Sequence, residues 1–102
     1  MSKIQGNCDS VKKERANILH NAMKIVCNDR NNQYGEPENN FEVIAEMWSV
    51  YLDTHITAKD VGIMMTLFKI GRIKTGGFKM DDYVDAAGYI ACAGEIALKG
   101  GE

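Results

Sequence analysis

The sequence predicts an all-α domain, a four-helix antiparallel bundle. The chain has one proline and few runs of β-branched residues, so little in it breaks helices or favours strands. Apolar residues recur at three- and four-residue spacings in four segments, as in helices that bury one face. The connections between these segments are short, which places consecutive helices side by side and antiparallel.

Composition limits the class of protein. The 102 residues are 45% hydrophobic and 25% charged, which is typical of one globular domain. A net charge of -2 gives no general attraction for a nucleic acid polymer or an anionic membrane. No apolar run is long enough to span a bilayer, no secretory signal is recognisable, and three cysteines lack metal-ligand spacing. These features predict a cytoplasmic protein with a leader at 1–9, a helical domain at 10–99 and a tail at 100–102.

The first helix is expected to start after Asp9 or Ser10, since either side chain can cap a helix. It is expected to fade within the polar turn at residues 28–32. Its apolar stripe consists of Val11, Ile18, Leu19, Ala22, Met23 and Val26.

The second helix is expected to open near Pro37 or Asn39. Proline suits a first helical turn, and Asn39 with Glu42 matches a capping box. The predicted buried face consists of Phe41, Ile44, Trp48, Tyr51 and Leu52, and the predicted solvent face of Glu42, Glu46 and Ser49.

The third helix is predicted to start at a capping box of Thr57 and Asp60 and to end before Gly76. The fourth runs from Met80 or Asp81 to about Leu98. Both helices are apolar almost all round, so both are expected to be buried. A chain this short has little polar surface with which to cover them, and a homo-oligomer is therefore expected.

Four charged residues interrupt these two apolar helices. Lys69 and Arg72 are three residues apart near the end of the third helix, and Asp82 and Asp85 are three apart near the start of the fourth. Residues at this spacing share a helix face. Because the helices are consecutive and antiparallel, the basic pair is expected beside the acidic pair.

Two interpretations of this cluster remain open. A structural salt-bridge network would tie the helices together, although desolvation of buried ions often cancels the gain in stability. Alternatively, Asp82 and Asp85 hold Mg²⁺ while Lys69 and Arg72 contact the phosphate groups of a ligand. The loop at residues 29–41 could form the lip of such a pocket or be an ordinary turn, and its candidate ligand-binding residues are Arg30, Tyr34 and Asn40. Tyr89 continues the stripe of the two aspartates.

The combined pattern resembles a family of small phage and prophage proteins known as a domain of unknown function. Its parts are Asp29-Arg30-x3-Tyr34-Gly35-x-Pro37-x2-Asn40-Phe41 with Trp48, then Asp60-Val61 with Lys69-x2-Arg72, then Asp82-x2-Asp85-x2-Gly88-Tyr89. The resemblance covers residues 16–97 and implies a setting in the cytoplasm of a bacterial host cell.

That family is distantly similar to the MazG-like all-α nucleoside triphosphate pyrophosphohydrolases. The similarity implies a MazG-like architecture and Mg²⁺ bound by two acidic pairs. Asp82-x2-Asp85 matches the second pair, whereas Glu42-x3-Glu46, the nearest candidate for the first, differs in spacing and face.

The leading prediction is a phage-type protein that binds a nucleotide or another phosphorylated small molecule, with Mg²⁺-dependent pyrophosphohydrolysis as the enzymatic form. In this prediction, Tyr34, Asn40 and Tyr89 line the part of the site that holds the base or the sugar. The alternatives are a ligand-sequestering protein without chemistry and a protein-interaction module whose charges are a structural network.

Overall fold

The computed structural model describes residues 13–29 and 35–101, which form helices and no strand. The helices are α1 (Glu14–Lys24), α2 (Pro37–Leu52), α3 (Ala58–Thr75) and α4 (Met80–Leu98). A π-helical turn, Ile25–Asp29, follows α1. The all-α prediction is confirmed, whereas the antiparallel bundle of MazG type remains a prediction. None of these helices combines the length and hydropathy needed to cross a bilayer.

The predicted start of the first helix is wrong for α1. Lys13 has extended backbone, with φ -74° and ψ 141°, so α1 begins only at Glu14 and has no side-chain cap. The proposed caps and the predicted leader, residues 1–9, lie outside the described residues. On α1, Ala22 is buried, but Leu19 and Met23 are more than half exposed. The predicted apolar stripe is therefore only partly covered.

The start of α2 follows one of the two predictions. Glu36 is extended and Pro37 occupies the first turn, where its missing N–H costs no hydrogen bond. The capping box at Asn39 is wrong because Asn39 lies inside the helix. Phe41 is buried as predicted, but Tyr51 is 87% exposed. Tyr51 and Leu52 belong to the last turn of α2, beyond Trp48, the last α2 side chain packed against the core.

Ser49 does not belong to a solvent face. Its Oγ donates to the carbonyl of Ala45 at 2.7 Å and accepts from the Ile56 N–H at 2.8 Å. The part-buried hydroxyl therefore fixes the connection from α2 to α3. Periodicity could not show this, because the partner belongs to a loop seven residues away.

The termini of α3 and α4 agree with the predictions. Thr57 Oγ1 accepts from the Asp60 N–H, and the Asp60 carboxylate accepts from the Thr57 N–H, which completes the capping box. At the end of α4, Gly100 has φ +81°, and the Gly101 N–H reaches the carbonyl of Ile96 at 2.9 Å. This is the geometry of a Schellman motif, in which glycine accepts the left-handed backbone without strain.

The prediction that α3 is buried all round is wrong. Only Ala58, Val61 and Gly62 are buried, while Leu67, Phe68 and Ile70 are about half exposed or more. The reason is that α3 packs against α2 and α4 along one side, and no described element covers the other.

The core lies where α2, α3 and α4 meet. Helix α4 contacts each of the other three helices. The buried core cluster consists of Phe41, Ala45, Ala58, Val61, Cys92 and Ile96. Contacts between α3 and α4 occur in reverse order along the chain, since Gly62 meets Ala93 whereas Lys69 meets Asp85. This order brings the end of α3 to the start of α4.

Candidate functional site

The structure brings the two predicted charge pairs together. Nζ of Lys69 lies 3.0 Å from Oδ2 of Asp85 and 4.0 Å from Oδ1 of Asp82. Nε of Arg72 donates to the same Oδ1 of Asp82 at 3.2 Å. We call Lys69, Arg72, Asp82 and Asp85 the charge cluster. Its two positive and two negative charges balance, and Lys69 contacts both carboxylates.

Burial is uneven within the charge cluster. The Asp82 side chain is only 5% exposed, whereas that of Arg72 is 49% exposed. Lys69 is largely covered, and about a third of the Asp85 side chain is accessible. The charge cluster is therefore buried at Asp82 and has a solvent-accessible open edge at Arg72 and Asp85. An open edge permits ligand contact, which a dry interior network would not.

An aromatic ring that the sequence analysis did not assign to the site lies beside the two cations. The Phe68 ring centroid is 5.8 Å from Nζ of Lys69 and 5.9 Å from Cζ of Arg72. Both distances are within the range of cation–π attraction. Phe68 is also more than half exposed. Its position one residue before Lys69 and four before Arg72 is the sequence signal that could have indicated it.

A narrow cleft opens next to the charge cluster, between α1, the start of α2 and α4. Its lining includes Asp85, Tyr89 and Asn40, three of the predicted site residues. The room for water within it is about 20 Å³, roughly one water molecule. Asp85 therefore belongs both to the charge cluster and to the wall of the cleft.

Small residues on α4 shape the floor of this narrow cleft. Val84, Gly88 and Cys92 recur at four-residue spacing and all line it. A Cβ atom on Gly88 would lie 3.1 Å from Cγ1 of Val26, so the glycine permits the π-helical turn after α1 to approach α4 closely. The sequence analysis placed Gly88 only in the family pattern. The spacing of small residues could have indicated their common face.

A wider cleft adjoins the narrow one and shares Val26, Pro37 and Cys92 with it. Its volume of about 400 Å³ lies in the range of small-molecule sites. Its polar lining includes Glu36 and Glu95, which makes this end acidic. We call the two adjoining clefts together the groove; Asp85 of the charge cluster lines its narrow part, and Glu36 and Glu95 line its wide part.

Ionic contacts at the acidic end join α2 to α4. Nζ of Lys99 lies 2.7 Å from the Glu38 carboxylate and 3.8 Å from that of Glu95. The hydrogen bond lowers the pKa of Glu38 and raises that of Lys99. Carboxylate oxygens of Glu36, Glu38 and Glu95 lie within 4.8 Å of one another. The ammonium group of Lys99 already offsets part of their charge.

The predicted site residues divide into three groups. Lys69, Arg72, Asp82 and Asp85 meet in the charge cluster. Asn40, Asp85 and Tyr89 line the narrow cleft, where Nδ2 of Asn40 donates to the carbonyl of Glu36 at 3.1 Å. Arg30 and Tyr34 lie outside the described residues, although the neighbouring Gly35 lines the same cleft.

The sequence of this chain matches a family model over residues 17–97, the span that carries both the charge cluster and the groove. The matching model is Domain of unknown function (DUF6378). The chain belongs to the DUF6378 family. No solved structure matches this DUF6378 chain.

Two phage proteins are similar to this DUF6378 chain. It is 40% identical to the Gene 55 protein of Mycobacterium phage D29 over 79 residues, which cover 78% of this chain and 52% of the relative. It is 37% identical to the Gene 55 protein of Mycobacterium phage L5 over 82 residues, which cover 79% and 53%. The chain therefore spans about half the length of these curated relatives.

Proposed function

We propose that the charge cluster and the adjoining groove form one binding site for a phosphorylated small molecule, with a nucleotide as the leading candidate. The observation that best supports this proposal is that Asp85 belongs to both parts of the site. It pairs with Lys69 in the charge cluster and also lines the narrow cleft beside Asn40 and Tyr89.

Phosphate binding is assigned to the basic side of the charge cluster. Arg72 uses its Nε for Asp82, and its half-exposed guanidinium has further N–H donors that can reach an anion at the open edge. Arginine binds phosphate by paired hydrogen bonds, and lysine acts as a point charge. Asp82, which is nearly covered, orients Arg72 through its Oδ1 atom, which accepts from Nε.

The organic part of the ligand would extend into the groove. Asn40 and Tyr89 would contact the sugar or base, and Phe68 offers a ring face near the phosphates. The narrow cleft has room for about one water, so a base fits only where the groove widens toward its 400 Å³ part or where the cleft opens. Arg30 and Tyr34, which lie outside the described residues, are further candidate ligand contacts in this proposal.

Magnesium fits this site as an ion that arrives with the phosphate. Lys69 lies within 4.0 Å of both Asp82 and Asp85 and, together with Arg72, balances their charge, so a divalent cation at the aspartates competes with its ammonium group. A ligand phosphate would attract Lys69 and free the carboxylates. When bound, Mg²⁺ neutralises phosphate charge and polarises the phosphoryl group. Asp82 and Asp85 would hold it.

The experiment is a binding titration of a nucleotide panel, with and without MgCl₂, on the wild type and Asp85→Asn. We expect wild-type binding, and at least a tenfold loss in Asp85→Asn with the unfolding free energy changed by less than about 1 kcal/mol, since the side chain is partly solvated. Asp81→Asn is the matched control, because Asp81 is exposed and lies one helical turn before Asp85. Absence of binding by every nucleotide would reject the proposal.

The enzymatic form of the proposal is Mg²⁺-dependent release of pyrophosphate from a nucleoside triphosphate. It is tested by measuring pyrophosphate in the same incubations. Binding without product would instead identify a sequestering protein. Neither result alters the assignment of the ligand class, so binding and turnover are separate tests.

Each of the four charges already has a partner of opposite sign within the charge cluster. This observation favours one competing function, a protein-interaction module in which the charge cluster is only structural. Lys69–Asp85 and Arg72–Asp82 leave no net charge in the cluster. For this function, Asp85→Asn should destabilise the fold by roughly 3–5 kcal/mol, as for a broken buried pair, and no nucleotide should bind. Stability and binding measured on one variant therefore separate the two functions.

A further inference from the structure

An apolar face that no element within residues 13–29 and 35–101 covers runs along the α3–α4 pair. It is formed by Ile63, Leu67 and Ile70 on α3 and by Tyr83 and Ile90 on α4, and we call it the outer face. The five residues are between 38% and 60% exposed. Their spacings of three, four and seven residues place each set in one stripe along its helix.

The two stripes lie on the same side of the helix pair. Gly62 and Lys69 of α3 meet α4, so Ile63 and Ile70, each one residue further along, are turned about 100° from that contact. On α4, Tyr89 and Asp82 meet α3. Ile90 and Tyr83 each follow one of them by one residue, so they are also turned about 100° from the contact. Because the contacts run in reverse order, equal rotations bring both stripes to one side.

The outer face has the composition of an interface core. On α4 the positions that continue it carry no charge and are mostly small, namely Ala86, Ala87, Gly94 and Ala97. On α3 the stripe ends in a lysine at each end, Lys59 and Lys74, and the exposed Lys79 lies just before α4. Interface centres are depleted of charged residues and enriched in aromatic ones, and this face holds no charge among its five residues and includes Tyr83.

The size of the outer face approaches what one partner contributes to a stable dimer. The five residues are 38–60% exposed, and Phe78, whose ring centroid lies 5.5 Å from that of Tyr83, is 74% exposed. If a large apolar side chain offers about 200 Å² in full, the six leave on the order of 600 Å² accessible. The small residues between them add to this area. A standard interface takes about 800 Å² from each partner, whereas the largest apolar patch of a typical monomer is about 300–600 Å².

We propose that the outer face is the contact between two copies of this chain. Two adjacent helices with contacts in reverse order present a broad, nearly flat face that can pack on its own copy. The same patch then serves both subunits, as in twofold dimers, and the two helix pairs enclose a shared four-helix core. This inference is independent of the proposed ligand, because none of its residues belongs to the charge cluster.

Sedimentation equilibrium of the wild type, Leu67→Glu and Ile90→Glu tests the proposal. We expect a wild-type dimer and a dissociation constant raised at least 100-fold in each variant, since a carboxylate would be placed at the centre of the contact. Val50→Glu is the control and should change the constant less than twofold, because Val50 is 82% exposed on the outer side of α2. Circular dichroism should show the same helix content in all four proteins.

The melting temperature at several protein concentrations gives a second test of the dimer. Dimerisation makes the melting temperature rise with protein concentration, and Leu67→Glu should abolish that dependence while the chain remains folded. A wild type that stays monomeric at every concentration would overturn the proposal. A dimer broken by Val50→Glu and preserved in Leu67→Glu would overturn it as well, since another face would then be the contact.

Discussion

Gly62 of α3 lies against Ala93 of α4, so close that a Cβ atom on Gly62 would stand 2.9 Å from Cβ of Ala93. The same atom would be 3.2 Å from the carbonyl oxygen of Tyr89. The absence of a side chain at Gly62 therefore sets the distance between the two helices. That distance in turn allows Lys69 to reach Asp85 further along the pair.

Gly62→Ala is expected to destabilise the protein by about 1–2 kcal/mol. The added methyl group forces α3 from α4, and this overpacking exceeds the gain of up to about 1 kcal/mol from better helix propensity. Gly71→Ala is the control on the same helix, where a Cβ would meet no atom within 4 Å, and it should stabilise by about 0.5–1 kcal/mol. Urea unfolding of both variants checks that their changes in unfolding free energy have opposite signs. Equal stabilisation by the two substitutions would contradict the close contact between Gly62 and Ala93.

Asp82→Asn is expected to destabilise the protein by about 1–3 kcal/mol. The carboxylate is nearly covered and accepts from Nε of Arg72, and the loss of its charge leaves two cations less well paired. Asp81→Asn removes a charge from the same first turn but from an exposed position, so it should cost no more than about 1 kcal/mol. Chemical denaturation measures both, and similar losses would mean that the helix dipole, rather than Arg72, accounts for the effect.

Lys69→Gln is expected to increase the affinity of the ligand-free protein for Mg²⁺ by about tenfold, because the competing ammonium group is removed from both aspartates. The same change should weaken nucleotide binding, since one phosphate contact is lost. Calorimetric titration with MgCl₂ and then with nucleotide measures the two effects. Lys59→Gln, at the other end of α3, is the control, and an unchanged Mg²⁺ affinity in Lys69→Gln would show that the aspartates do not bind the ion.

The capping box at the start of α3 predicts a pH dependence of stability. The hydrogen bond from the Thr57 N–H lowers the pKa of Asp60 below its usual value of 3.8. The folded state thus favours the ionised carboxylate, so this contribution is complete well above pH 3.8 and is lost as the pH falls through 3.8 toward the lower folded pKa. Asp60→Asn should lose about 0.3–1 kcal/mol at pH 7 and should show a shallower decline in stability below pH 5. Unfolding curves from pH 7 to pH 3 check this, and parallel declines in the two proteins would contradict it.

Local signals in the sequence located the helix termini with unequal success. The Thr57–Asp60 box and the end of α4 at Leu98 were predicted well because the residues that define a helix terminus lie within a few positions of each other. The start of α1 and the capping box at Asn39 were predicted wrongly. Ser, Asp and Asn can cap a helix but do not have to, and Pro37 with extended Glu36 defined the start of α2 instead.

The sequence by itself determined the all-helical class and the meeting of Lys69 and Arg72 with Asp82 and Asp85. Both follow from local rules: residue spacing fixes a helix face, and a short connection makes consecutive helices neighbours. Only the tertiary structure decided that Asp85 also borders a groove, that Phe68 lies over the cations and that half of α3 is uncovered. These features depend on where α1 and α2 pack on α4, and contacts between residues far apart in the chain leave no periodic signal in it.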